Sequence, residues 1–424
     1  MEEIFSNLYL TTYFLGYVGL FVFYKTKQRE KILQLSSTSF SLAYLAITAF
    51  LSIIYYDMSN EVFRDYSNIT AEPLIYLFFS FSFVLLPIYF HDCKYYSNKK
   101  KYSFDKYTLL NSMSLLIILC TLLPFAESII KLPQALSSSN AANLYDQQLL
   151  SSNKNVEYLS FFGRKFFLII WRLSNIIPVL IFVQYIRGRK RQALILCLSL
   201  MTIWIHSMSL GGRSKLVQNA LYLVFSFMVF KNFFHDKDKK DIIKYGLAVI
   251  SVAVLSVTVV TISRFAAKDV TAMTSIWEWV GLYAGEGTLN FDTIQWYVKN
   301  TLGGAVTFKI FVFLFTGEQV SVDQSWALGD SLGKPGNIFY TFISNFYDDF
   351  GRWGGFFFFV GMSLFVIIVY KYIAKNLLSR LTIICLWGKI LMVGPIFFTY
   401  STLDDQWNLV ISILFVVYVA MVKT

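Results

Sequence analysis

Charge is scarce in this chain. Only 15% of its 424 residues are Asp, Glu, Lys or Arg, against about 25% in an ordinary globular domain. With 56% of residues hydrophobic and 18% aromatic, a soluble enzyme of this length is excluded. Cysteine is also scarce: Cys93, Cys120, Cys197 and Cys385 lie in or beside apolar runs without a CxxC pair, which excludes a disulfide framework and a zinc site. Histidine is scarcer still. His91, His206 and His235 stand apart and no HExxH occurs, so a His-based metal centre is not expected. Neither GxxxxGK[ST] nor GxGxxG is present, which argues against ATP-driven transport and nucleotide-cofactor chemistry.

What the chain has instead is apolar runs, each about the 20 residues that an α-helix needs to cross a hydrocarbon core of roughly 30 Å. Spans are predicted at 7–24, 36–56, 73–90, 107–124, 166–186, 192–210, 216–230, 245–263, 353–370, 381–399 and 406–422. This is an all-α polytopic membrane protein of about 11 transmembrane helices. The start, MEEIFSN, is acidic and no small-residue cleavage site follows, so the first run is expected to be a retained helix rather than a signal peptide.

Net charge is +11, and its distribution matters more than its size. Basic clusters occupy every second connection: KTKQREK at 25–31, KYYSNKKKYSFDK at 94–106, RGRKR at 187–191, KNFFHDKDKKDIIK at 231–244, then Lys371, Lys375 and Arg380, and finally Lys423. They hold 22 of the 37 Lys and Arg. Because excess Lys and Arg stay cytoplasmic, the N-terminus is expected outside and the C-terminus inside, with no role in nucleic-acid binding. The domains that follow are 1–263, carrying spans one to eight with an outer loop at 125–165; 264–352, one large outer loop between spans eight and nine; and 353–424, with the last three spans. Within the large loop, TLGGAVTFKIFVFLF at 301–315 has too short an apolar core to span and reads as an interfacial or re-entrant helix.

Charges placed against this pattern are the informative ones. Arg213 (SLGGRSK), Arg264 (TISRFAAKD) and Arg352 (DDFGRWGG) lie where spans meet the outer face. A guanidinium forks two donors onto phosphate oxygens, so arginines at one membrane face suit a lipid-linked phosphate or diphosphate; headgroup snorkelling accounts for each equally well singly. Gly211 and Gly212 would let backbone N–H groups approach an anion beside Arg213. Arg172 and Lys389 lie inside spans five and ten, where an internal ion pair and a ligand contact are equally good readings. Asp236-Lys237-Asp238 matches a DxD metal pair but sits in an alternating charge run, which favours a solvated turn. Asp349-Phe350-Gly351 is a DFG without the rest of a kinase.

Two tracts and two further pieces resemble a known family. Asn337-Ile338-Phe339-Tyr340-Thr341, then Phe346-Tyr347-Asp348-Asp349-Phe350-Gly351 and Gly354, resemble the signature closing the large outer loop of Wzy-type O-antigen polymerases. LGGRS at 210–214 and YAGEGTLNF at 283–291 are similar in place and kind. The resemblance implies a GT-C-like architecture in a bacterial inner membrane, with the active face periplasmic. It implies a substrate, an oligosaccharide repeat unit on undecaprenyl diphosphate, and transfer of a growing glycan to the non-reducing end of a new lipid-linked unit. No metal or other cofactor is implied; membrane lipid and a polysaccharide chain-length regulator are the implied further partners.

The residues suit that chemistry. A leaving diphosphate calls for fixed cations, supplied by Arg213, Arg264 and Arg352. An attacking sugar hydroxyl gains from a carboxylate base, for which Asp349 and Glu286 come first, with Asp348, Asp404 and Asp405 behind them. Asp348 and Asp349 could equally cap span nine. Asn337, Tyr347 and Arg172 are further candidates for substrate contact, whereas Trp277, Trp279 and Tyr283 read as an interfacial aromatic belt. Two alternatives remain. A lipid-linked oligosaccharide flippase would show short outer connections, and an O-antigen ligase would carry a histidine in the large outer loop, where this chain has none.

Overall fold

The computed structural model describes residues 2–28, 35–59, 66, 68–95, 104, 109–135, 159–209, 214–265, 272–317, 322–334, 340–396 and 399–422. Arg213 and Asn337 lie outside the described residues, as does the side chain of Arg264. In chain order the helices are α1 (Glu2–Gln28), α2 (Ser37–Ser59), α3 (Ala71–Tyr95), α4 (Leu109–Ala135), α5 (Phe161–Arg172), α6 (Ile177–Ile186), α7 (Lys190–Ser209) and α8 (Ser214–Phe230). They continue with α9 (Asp236–Phe265), α10 (Ala272–Thr293), α11 (Lys309–Thr316), α12 (Val322–Ser331), α13 (Phe342–Ile368), α14 (Leu377–Val393) and α15 (Leu403–Met421). No strand occurs among the described residues.

Each predicted apolar run falls on a helix, but the runs are not equivalent. Among the described residues, eight helices are long and apolar enough to cross a membrane: α1, α2, α3, α4, α7, α8, α13 and α15. This is a multi-pass helical membrane protein. The fifth predicted span is broken. α5 and α6 meet at a 74° bend, and the pair makes a ninth candidate if counted as one. Pro178 near the start of α6 lacks the N–H that a continuous helix would need, which fits a break just before it. α14 has 17 residues, a rise of about 26 Å, slightly short of the hydrocarbon core.

The chain forms two compact units. The first comprises Met1–Asn98, Trp277–Ile373 and Trp387–Gln406. Within it α1, α2, α3 and α13 pack together. Lys27 Nζ donates to Tyr89 Oη at 3.2 Å, Thr38 N to Asp92 Oδ2 at 2.6 Å, and His91 Nδ1 lies 3.1 Å from Tyr370 Oη. These contacts bring the end of α1, the start of α2 and the ends of α3 and α13 together. The ends of α1, α3 and α13, after each of which the sequence carries a basic cluster, therefore lie at one end of the unit.

The stretch 264–352, expected as one outer loop with a short helix, holds among its described residues α10, α11, α12 and the start of α13, and most of α10 belongs to the first unit. A Cβ on Gly285 would sit 2.6 Å from the Leu51 carbonyl oxygen of α2, a contact only glycine permits. Ser52 Oγ donates to the Gly285 carbonyl at 3.2 Å across this contact. Gly281 and Gly285, one turn apart, are the small-residue pair that lets α10 approach α2 closely, while Gly287 faces the Pro395 carbonyl and Thr341 instead. α11 is eight residues long, a rise of about 12 Å, so the 301–315 run does not span.

The second unit comprises Lys99–Ile276, Ala374–Leu386 and Trp407–Thr424. Thr121 Oγ1 of α4 lies 2.7 Å from Ser199 Oγ of α7. Near the starts of α4 and α7, Gln184 Nε2 donates to Ser114 Oγ at 3.0 Å and Lys190 pairs with Asp238 at 2.7 Å. The clusters at 187–191 and 231–244 thus share one end of this unit. Asp236 and Asp238 occupy the first turn of α9, facing Lys239 and Lys190, where acids favour the helix dipole. The DxD is a helix start.

Candidate active site

The site is organised by an interruption in α13. Gly351 has φ 71° and ψ −176°, a conformation open essentially to glycine alone, and it turns the chain inside what is otherwise one helix. The break frees carbonyls that would have accepted intrahelical bonds, and those of Asp348 and Asp349 find other donors. Leu302 N donates to the Asp348 carbonyl at 2.9 Å, Gly303 N to the Asp349 carbonyl at 3.1 Å, and Tyr76 Oη to the Arg352 carbonyl at 2.8 Å. The Asp349 side chain adds two more bonds: Oδ1 accepts from Val306 N at 3.1 Å and Oδ2 from Thr307 N at 2.6 Å. The TLGGAVT turn is stitched to the break by backbone and carboxylate together.

This arrangement separates the two aspartates. Asp349 is buried with both oxygens holding amides of the turn, so it neither caps the helix that begins after the break nor points at open space. Asp348 faces another way. Its Oδ2 is ion-paired with the Lys334 ammonium, and its Oδ1 accepts from Gln295 Nε2 at 2.6 Å. Lys334, which follows α12, also lies 4.1 Å from the centroid of the Tyr340 ring. Burial pushes its amine below the ordinary lysine value, and the Asp348 charge pulls the other way.

Arg352 is the accessible cation of the cluster, beside the exposed Glu72. Its guanidinium stacks 3.8 Å from the Trp296 ring centroid and pairs with Glu72 of α3 at 2.8 Å, with about a third of the side chain exposed. Tyr347 Oη donates to the Trp296 carbonyl at 3.0 Å, and Tyr76, Phe291, Trp296 and Tyr347 form one aromatic packet beneath it. Tyr347 is therefore a wall of the site, buried rather than presented.

Glu286 lies on α10 in the same unit, and its carboxylate is buried. The Tyr66 hydroxyl lies 3.3 Å from Glu286 Oε1 and 3.0 Å from Asn290 Oδ1 one turn on. Further along α10, Asp292 accepts from Thr70 N at 3.1 Å. Burial pushes the Asp292 carboxyl up to about 7, against the Thr70 bonds that lower it. Asp404 and Asp405 are accounted for by the first turn of α15, where Asp405 N donates to Thr402 Oγ1 and Thr402 Oγ1 donates back to Asp405 Oδ2.

The expected site residues fall in separate places. Glu286, Tyr347, Asp349 and Arg352 belong to the first unit, and Arg172 to the second, where its Nη1 donates to Asn408 Oδ1 at 3.3 Å. Sequence reading missed Lys334, Gln295, Trp296 and Glu72. A signal existed for Lys334, the one Lys or Arg between Lys309 and Arg352 in a stretch carrying Glu318, Asp323, Asp330, Asp348 and Asp349. Glu72 had none, since its partner lies far along the chain. No family model, curated protein or solved structure matches the chain.

Proposed function

We propose that this chain is a polymerase of surface polysaccharide in a bacterial inner membrane, acting at the periplasmic face. It takes a growing glycan from undecaprenyl diphosphate and passes it to the non-reducing end of a lipid-linked repeat unit. In the transfer, the acceptor hydroxyl oxygen bonds to the anomeric carbon, the bond from that carbon to the diphosphate oxygen breaks, and the hydroxyl proton passes to a carboxylate. The observation that carries the reading is the gathering of Glu72, Gln295, Trp296, Lys334, Asp348 and Arg352 around the DFG break, in the tract that resembles the polymerase signature.

In this reading Arg352 offers its fork to phosphate oxygens, exchanging the exposed Glu72 carboxylate for the ligand. Arg213 and Arg264 are the other diphosphate contacts, and Asn337 and Arg172 remain candidates for substrate contact. Glu286 is the better base: both Asp349 oxygens already hold turn amides, so Asp349 keeps the 302–307 turn in place. Deleting the gene in its own cells tests the class of function. Lipid A core bearing a single repeat unit supports a polymerase; core bearing none points to the flippase or ligase instead.

A further inference from the structure

An apolar cleft of about 380 Å³ opens beside the DFG break in the first unit, lined by Leu302, Gly303 and Ala305 of the turn and by Phe308, Phe311 and Phe315 at and along α11. Its turn side is the segment already bonded to the break, through Leu302 N and Gly303 N. Its helix side is fixed by Phe308, whose ring centroid lies 6.1 Å from Phe350 and 5.8 Å from Phe358, on either side of Gly351. Gln406 holds the same wall from α15: its Oε1 accepts from Ile310 N at 2.7 Å and its Nε2 donates to the Thr307 carbonyl at 2.8 Å. Beyond the cleft α11 leaves Phe311, Leu314 and Phe315 exposed, Phe315 by 87%. A face of this kind is stable against hydrocarbon rather than water.

The turn end of the cleft meets cations. Thr301, next to Leu302, has its Cγ2 3.5 Å from where a Cβ on Gly351 would lie, and Trp296, five residues earlier, carries Arg352 over its ring. The short connection 296–301 therefore touches Gly351 and Arg352 at its two ends, and the exposed Lys299 lies between them. Asp348 and Asp349 are engaged with Lys334, Gln295 and the turn amides, and Glu72 is itself exposed and paired with Arg352. An apolar cleft next to accessible cations suits an amphipathic ligand, anionic at its head and hydrocarbon behind it.

We infer, on the reading of Arg352 as a phosphate contact, that the cleft along 302–315 holds the first isoprene units of a polyprenyl diphosphate whose head lies on Arg352 and Lys299. Two cations suit a diphosphate, which carries two or more negative charges, better than the single charge of a phospholipid diester. At about 30 Å³ for each carbon-sized group, the cleft takes on the order of a dozen carbons, which is two to three isoprene units.

Geranylgeranyl diphosphate carrying a photoreactive diazirine on its second isoprene unit, added to purified full-length protein in detergent, tests this. Irradiation should place the label within residues 302–315, read by peptide mass spectrometry. Unlabelled geranylgeranyl diphosphate should compete at a concentration about tenfold or more below that needed of phosphatidylglycerol. Phe311→Ser/Phe315→Ser should weaken binding about tenfold, and Lys299→Gln/Arg352→Gln by a similar factor, while Phe365→Ser on the exposed face of α13 leaves it unchanged. The position of the label on wild-type protein decides even where a variant fails to fold. Label outside 302–315 would overturn the cleft, as would phosphatidylglycerol competing equally well, which would mark a general lipid groove. Polymerisation is separable from this outcome. Label at 302–315 in a protein that builds no chain would keep the cleft and remove the polymerase; chain growth with label elsewhere would keep the polymerase and remove the cleft.

Discussion

At the scale of single residues, the two neighbouring aspartates show how differently one side chain type can be used. Asp349→Asn sets an amide N–H against the amides of Val306 or Thr307, so it should cost about 1–3 kcal/mol of stability, read as a lower unfolding temperature of purified protein. Glu286→Gln keeps an acceptor for Tyr66 and should leave that temperature nearly unchanged while abolishing turnover. Wild-type turnover by a folded Glu286→Gln variant would remove Glu286 from the chemistry. Asp292 gives a pH dependence with a defined sign. Its folded carboxyl titrates near 7 and its unfolded one near 3.8, so the native state binds more protons between those values. Stability from this group is full below about 4 and is lost as pH rises toward 7, a ceiling of about 4 kcal/mol. Asp292→Asn should flatten that part of the stability profile, and an unaltered profile would show that another group causes it.

At the scale of elements, the DFG break and the glycine pair of α10 are the two features on which the first unit's site depends. Gly351→Ala forces a side chain into the glycine-only region and should cost about 1–3 kcal/mol while loosening the 302–307 turn, measurable as faster amide exchange at Val306 and Thr307. Most helices were legible in the sequence because hydrophobic run length reports directly on a membrane solvent. α10 was not, because Glu278, Glu286 and Asp292 interrupt its hydropathy, although GLYAGEG carried the small-residue spacing of a close helix contact. The bend between α5 and α6 escaped for the opposite reason: the run 166–186 is continuously apolar, and length alone does not report direction. Of the candidate site, the carboxylates and Arg352 could be read locally, whereas Glu72, Gln295 and Lys334 are joined to them only by tertiary packing.

At the scale of the whole molecule, the charge pattern predicts that Lys100 and Lys239 face the cytoplasm while Ser138 and Ser325 face the periplasm. Single cysteines at these positions, labelled from outside in intact cells, should react at Ser138→Cys and Ser325→Cys alone; labelling of Lys100→Cys with protection of Ser325→Cys would reverse the orientation. The central claim, glycan transfer between lipid diphosphates, is tested most directly by giving purified full-length protein lipid-linked repeat units and resolving the products by size. The account predicts a ladder of lipid-linked glycans rising in whole repeat units without added nucleotide or metal, weakened sharply in Arg352→Lys. Repeat units that remain single, while being carried across vesicle membranes or joined to an added lipid A core, would contradict it.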